Sequence, residues 1–180
     1  MEHIKGIIFD LDETLIDTKS LKQFRDRGQW KSCYENVKHT IHFDNGEILL
    51  DYLSKSDLKI SIVTNSPRKY AETVLKYHNI SYEILVAYHD CKPRKPHPAP
   101  IFMCAEQMGH PLKNIIGIGD DIRDITAYKN AGIYAIGVSW GVSPGSDLKL
   151  AGADIVVDSQ CEIIDVLKSF GVGVDYNVNL

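Results

Sequence analysis

Three short segments place ionisable or hydroxyl side chains directly after apolar runs: Asp10-Leu11-Asp12-Glu13-Thr14, Thr64-Asn65-Ser66 and Asp120-Asp121-Ile122-Arg123-Asp124. Asp10 and Asp12 are two positions apart at the tip of a strand-like stretch. Crowded carboxylates repel each other and resist desolvation, so a compensating charge is needed to keep both. Mg²⁺ is such a charge: a hard cation held by a few carboxylates, waters and phosphate oxygens, which would let Asp10 and Asp120 stay ionised side by side. A basic loop, Lys92-Pro93-Arg94-Lys95-Pro96-His97-Pro98, lies between the second and third segments. Carboxylates, a lysine and a threonine hydroxyl brought together make a Mg²⁺ and phosphate site. Each segment also has a plainer reading: Asp10 and Asp12 as an Asx turn, Thr64 to Ser66 as a helix cap with Ser66 capping in either case, Asp120 and Asp124 as acids of a helix's first turn, and the basic loop as solvated charge. Their occurrence together, in order, favours one site.

For these residues to meet, the strands preceding them must lie side by side. β-Branched runs over 4–10, 58–65, 83–88, 114–119, 133–139 and 154–157 read as strands, and helical patterns alternate with them. That alternation is the signature of parallel βαβ units, a doubly wound α/β sheet whose ligands bind outside the carboxyl ends of the strands. Helices are expected over 44–53, opened by Asp44 and Glu47 in capping-box spacing; after Ser66-Pro67; from Pro98; from Asp121 to a stop at Gly132; and from near Ser159. Residues 17–42 hold no strand; Leu21 with Phe24, then Trp30, Tyr34, Val37 and Ile41, predict a two-helix insertion after the first strand. The tail over 171–180 has no pattern.

The phrases DLDETL, SIVTNS, KPHPAPIF and IGIGDDIRDITAYKNAGI, with VSWGVSPGSDLKLAGADIVVDS as a closing strand and loop, resemble the haloacid dehalogenase (HAD) superfamily, in particular its phosphoglycolate-phosphatase-like members. The resemblance covers nearly the whole chain. It implies a HAD-like, Rossmannoid fold and a Mg²⁺-dependent phosphomonoester hydrolase. By it, Asp10 is the nucleophile that forms an aspartyl-phosphate, and Asp12 protonates the leaving oxygen and then deprotonates water. Thr64 and the backbone N–H of Asn65 would bind phosphoryl oxygens, and Lys95 would neutralise their charge. Asp10, the carbonyl of Asp12, and Asp120 would hold Mg²⁺, while Asp124, with Asp121 sharing the duty, would orient Lys95 or a metal-bound water. Lys92-Pro93 also reads KP, but the KPxP phrase followed by Ile101-Phe102 favours Lys95. Asp12 separates the chain from the dehalogenase branch, which lacks it. Only 54 positions separate Asp10 from Thr64, where capped relatives insert a helical bundle. Residues 1–180 are therefore expected to form one domain, with 17–42 a rudimentary cap.

At 180 residues, 44% hydrophobic and 24% charged, the chain has the composition of a soluble globular protein. It has no run long enough to span a membrane and no secretory signal at its start, so a cytoplasmic location is expected. Cys33, Cys91, Cys104 and Cys161 are scattered and expected to be reduced. His89, Cys91 and His97 fit no common zinc spacing. The net charge of −4 does not indicate a nucleic-acid partner, yet residues 18–42 carry six Lys/Arg against two acids, and Lys22, Arg25, Arg27 and Lys31 could present positive potential at the site. Trp30 and Tyr34 are read as packing of the insertion rather than a base-stacking platform. The expected partner is a phosphorylated small molecule. The alternatives are a nucleotide or polynucleotide-end phosphatase and, from another class, a non-catalytic phospho-ligand-binding module; mutases of similar motif need a larger cap to exclude water.

Overall fold

A computed structural model describes residues 3–174, so the tail expectation falls outside the described residues from 175 onward. Six strands, β1 Gly6–Phe9, β2 Lys59–Val63, β3 Ile84–Val86, β4 Ile115–Gly119, β5 Tyr134–Val138 and β6 Ile155–Val157, form one sheet in the order β3-β2-β1-β4-β5-β6. All five pairings are parallel. Parallel strands need crossovers, and the helices supply them: α1 Lys22–Arg25, α2 Trp30–Glu35, α3 Gly46–Ser54, α4 Arg68–Tyr77, α5 Ala99–Met108, α6 Ile122–Ala131, α7 Gly145–Leu150 and α8 Gln160–Ser169.

Side chains alternate across β1, so Ile7 and Phe9 enter a core shared with Leu49, Leu53, Val74, Leu75 and Leu167, whereas Ile8 enters one shared with Ile101, Cys104, Ile125 and Tyr128. Both faces of the sheet are thus covered, α3, α4 and α8 on one side and α5, α6 and α7 on the other. The register pairs Phe9 with Ile62 and Ile118, which brings Asp10 level with Val63 and Gly119 and one step from Thr64 and Asp120. β1 is central, and chain order reverses on either side of it, the position where open α/β sheets form a ligand crevice.

Several local expectations are corrected. Helix α3 begins at Gly46 behind Asn45, which is left-handed (φ 64°) and makes no side-chain cap, so the Asp44/Glu47 box does not form. Ser66 does not cap α4; Pro67 precedes that helix and the Ser66 hydroxyl goes elsewhere. Helix α7 was not expected from the sequence. In the insertion, the periodicity from Trp30 to Ile41 stops at Glu35, because the Asn36 side chain donates to the Ser32 carbonyl (2.9 Å) and competes with the next helical bond. A 3₁₀ turn, Val37–His39, follows, and Ile41 is 59% exposed. The insertion leaves and rejoins the domain at one antiparallel bridge: Asp17 N donates to Ile41 O (3.0 Å) and Ile41 N to Asp17 O (3.1 Å).

Among the described residues, no helix is long and apolar enough to cross a membrane. All four cysteines are free, and only Cys161 is exposed.

Candidate active site

Asp10 follows the last residue of β1, and its N–H continues the ladder to the Ile118 carbonyl (2.9 Å), which fixes the backbone under its carboxylate. Lys95, only 4% exposed, reaches the same point from the loop after β3. Its Nζ donates to Asp10 Oδ1 (2.7 Å) and to the Val63 carbonyl (2.6 Å), and it lies 2.7 Å from Asp124 Oδ1. Lys92 is exposed, so Lys95 is the lysine of the site. Asp120, at the end of β4, accepts from the Thr14 hydroxyl (2.6 Å) and from Val142 N–H (2.7 Å).

Asp10, Asp120 and Asp124 each offer an oxygen within 4.8 Å of the others; this is the group of three or more His, Cys, Asp or Glu suited to a metal among the described residues. His89, Cys91 and His97 form no such group. Three buried carboxylates against one ammonium leave a formal charge of −2. Burial, opposed by Lys95 and reinforced by Asp124 and Asp120, holds the Asp10 carboxyl well above its ordinary range. Burial and the Asp124 charge push Asp120 up to about 7. Carboxylates that resist ionisation in this way outnumber their positive partner, and hard oxygen donors with a deficit of two charges fit a divalent cation such as Mg²⁺.

Two glycines permit this crowding. A Cβ at Gly119 would lie 2.5 Å from Asp124 Cβ, and one at Gly141 would lie 2.2 Å from Asp120 Cβ and Oδ2. Asp124 also accepts from Asp121 N–H (3.1 Å), closing a capping box at the start of α6, so one residue both starts the helix and steadies Lys95. Asp121 caps Arg123 N–H (2.8 Å) and pairs with the Arg123 guanidinium (2.8 Å), which overcomes its burial and holds its pKa low. Thr64 Oγ1 accepts from Ser66 N–H (3.0 Å), and the Asn65 amide donates to the Lys95 carbonyl (3.1 Å).

The Asp12 side chain, in the wall of the same cavity, is held by a separate set of donors. Its Oδ1 accepts from Thr18 Oγ1 (2.8 Å) and Tyr70 OH (2.7 Å), its Oδ2 from Ser66 Oγ (2.6 Å), and the Arg25 guanidinium pairs with it. Burial and the neighbouring Asp12 charge raise the Tyr70 pKa, so the phenol stays a donor. Arg25, expected on an exposed basic face, is instead 13% exposed at its side chain and also pairs with Glu13 (3.0 Å). Glu13 is 3% exposed and left-handed (φ 64°). Of that basic face, Lys22, Arg27 and Lys31 remain exposed, Lys22 paired with Asp26 (2.8 Å) and Lys31 with Glu35 (3.9 Å). The roles of Arg25, Tyr70, Ser66 and Trp140, whose indole N–H donates to the Thr14 carbonyl (3.2 Å), carry no local sequence signal, because each contact joins distant parts of the chain. A cavity of about 310 Å³ opens over the carboxylates, walled by Asp10, Asp12, Thr64, Lys22, Arg25 and Arg123.

The haloacid dehalogenase-like hydrolase family profile matches residues 22–138. The phosphoglycolate phosphatase of Salmonella typhimurium is 28% identical over 130 residues, 71% of this chain and 52% of that protein. That of Escherichia coli K12 is 30% identical over 125 residues, 68% of this chain and 48% of that protein. The chain thus spans about half the length of the curated relatives it matches. A solved structure of a hydrolase from Pseudomonas syringae, 22% identical, superposes with a TM-score of 0.78 over 92% of this chain and 98% of that one, a likeness of fold.

Proposed function

The chain belongs to the haloacid dehalogenase-like hydrolases, and on that premise we propose that it is a Mg²⁺-dependent phosphomonoester hydrolase working through an aspartyl-phosphate on Asp10. The observation that carries the reading is the buried Asp10–Lys95–Asp124 array beside Asp120, at the tip of the central strand and under an open cavity. A solvated turn or helix cap has no need to bury three carboxylates around one lysine.

In this reading the Asp10 carboxylate attacks phosphorus, forming an O–P bond as the bond to the leaving oxygen breaks. Asp12 gives its proton to that oxygen, then takes one from the water that attacks the aspartyl-phosphate, and inorganic phosphate leaves as the Asp10–phosphorus bond breaks. Thr64 Oγ1 and the Asn65 N–H bind the phosphoryl oxygens, and Lys95 balances the charge shared by Asp10 and phosphate. Asp10, the Asp12 carbonyl and Asp120 would hold Mg²⁺, with Asp124 beside them; when bound it supplies the missing positive charge and shields the anionic phosphate from the anionic nucleophile.

The substrate is a phosphorylated small molecule, handled in the cytoplasm. A cavity of about 310 Å³ suits that size, and in residues 17–42, the rudimentary cap, Arg25 turns inward to Asp12 and Glu13. The names of the curated relatives agree with a small substrate. The test is hydrolysis of p-nitrophenyl phosphate and a panel of phosphorylated metabolites with Mg²⁺, by the unsubstituted chain and by Asp10→Asn. Turnover that vanishes in the variant is expected. Turnover retained by Asp10→Asn above contaminant level overturns the covalent route, and none from the unsubstituted chain on any phosphate favours a non-catalytic binding module.

A further inference from the structure

A second cavity, of about 410 Å³, lies where the insertion meets the domain, outside the array just described. Its lining includes Asp17 and Ile41 of the insertion's bridge, Phe43 and Trp140, whose rings stand 5.8 Å apart, and the start of α8. Three carboxylates line it, Asp17, Asp44 and Asp158, and no lysine or arginine does. Acidic residues together prove nothing alone, but two lining residues carry buried polar atoms with no partner: Gln160 Oε1, in a residue 2% exposed, and His42 Nδ1.

Hydrogen-bond partners fix the roles of the groups beside this cavity. The Thr40 hydroxyl donates to the Val37 carbonyl (2.6 Å), so its contact with His78 Nε2 (2.7 Å) makes that nitrogen the donor. Burial, with His42 beside it, lowers His78 to about 4 and keeps it neutral. His78 Nδ1 must then accept from His42 Nε2 (3.2 Å). Gln160 Oε1 is likewise an acceptor. The three carboxylates and the orphaned Gln160 Oε1 are therefore all acceptors. The positive end of α8 does not offset them, because Glu162 in its first turn accepts from Ser159 Oγ (3.1 Å) and Asp158 N–H (3.1 Å). Aromatic faces and the 59% exposed Ile41 supply the apolar remainder, and Lys19 already holds its ammonium 5.9 Å from the Phe43 ring at the rim.

We propose that this cavity is a second binding site, for a small organic cation: a primary amine or guanidinium carried on a short apolar stem. Its volume falls in the range of small-molecule sites, and a donor-only head group answers Gln160 Oε1 and the carboxylates together.

Trp140 makes the site observable. The chain has two tryptophans, so Trp30→Phe leaves Trp140 as the sole reporter. Titration with n-butylamine or n-butylguanidine at constant ionic strength shifts Trp140 emission saturably, while 1-butanol does not. Calorimetry on the unsubstituted chain gives one site. Asp44→Asn, at an exposed position, weakens binding about two- to fivefold. Gln160→Leu weakens it about tenfold or more, the size of a hydrogen bond to a charged donor. Asp10→Asn leaves it unchanged. A linear response, an equal response to butanol, or indifference to both Asp44→Asn and Gln160→Leu overturns the site. Loss of the signal in Asp10→Asn also overturns it, by assigning the amine to the carboxylates under β1.

Discussion

Replacing Asp120 by Asn should make the metal-free protein more stable at pH 8, although it removes a residue central to the proposed chemistry. Asp120 rises from an ordinary 3.8 to about 7 in the fold, chiefly through burial and the Asp124 charge. About three units at about 1.4 kcal/mol each mean that ionised Asp120 costs the fold roughly 4 kcal/mol. Asn can keep its carbonyl on Val142 N–H and turn its NH₂ toward the Thr14 hydroxyl; losing the charge-assisted bonds costs about 1 kcal/mol, so the net gain is about 3 kcal/mol. The sign follows from the raised pKa. The fold holds a proton that the unfolded chain has released between pH 4 and 7, so the wild type loses stability as pH rises through that window, and the variant lacks this part of the slope. His78, lowered to about 4 from 6.5, slopes the other way, adding stability above pH 6.5 that is lost as pH falls toward 4. It is common to both proteins and cancels in their difference. Urea unfolding in excess EDTA at pH 5, 6, 7 and 8 measures that difference. A variant no more stable than wild type at pH 8, or a gap that fails to shrink on acidification, would falsify the charge deficit inferred for this cluster. Added Mg²⁺ should reverse the order, because only the wild type keeps all three carboxylates.

Two further substitutions probe geometry. Arg25→Ala removes the cation that holds Asp12, and should lower kcat for alkyl phosphates, within the roughly 10²- to 10⁴-fold that proton transfer contributes, while an activated aryl phosphate is largely spared; equal losses on both substrate types would mean that Arg25 serves stability or binding. Gly141→Ala sets a methyl 2.2 Å from Asp120 and should cut kcat about 10²-fold in a protein whose circular dichroism is unchanged; activity within twofold of wild type would show that Asp120 has room to move.

The strands were legible because β-branched runs bounded by polar residues need only local information, and all six appear within a few residues of their expected limits. Parallel pairing also followed, since the intervening helices leave no other connection. What escaped were choices settled by competition. Ser66 is a good helix cap by type, yet a carboxylate at 2.6 Å is a stronger partner than an orphan N–H. Asp44 and Glu47 had cap spacing, but the chain turns through a left-handed Asn45 between them. The periodicity from Trp30 to Ile41 described a helix that Asn36 ends from within. At the site, residues carried by the motifs meet as the spacing suggested. Their supports do not announce themselves: Tyr70 lies 58 positions from Asp12, and Trp140 is 126 from Thr14. Arg25 looked like one more surface charge in a basic segment until Asp12 and Glu13 supplied a reason to turn inward.

The single bridge between Asp17 and Ile41 makes the insertion an exchangeable part. Its two ends sit one backbone pair apart, outside the sheet, and between them Leu21 and Cys33 are buried in the core on the α4 side. For a flexible loop, doubling the length of the segment 18–40 adds only about 0.6 kcal/mol of closure entropy. Longer or shorter segments could therefore be grafted at this junction while β1 and its carboxylates stay in place, provided the graft supplies donors for Asp12 in place of Thr18 and Arg25 and apolar side chains in place of the buried Leu21 and Cys33. The domain is in this sense a socket into which different segments can be plugged.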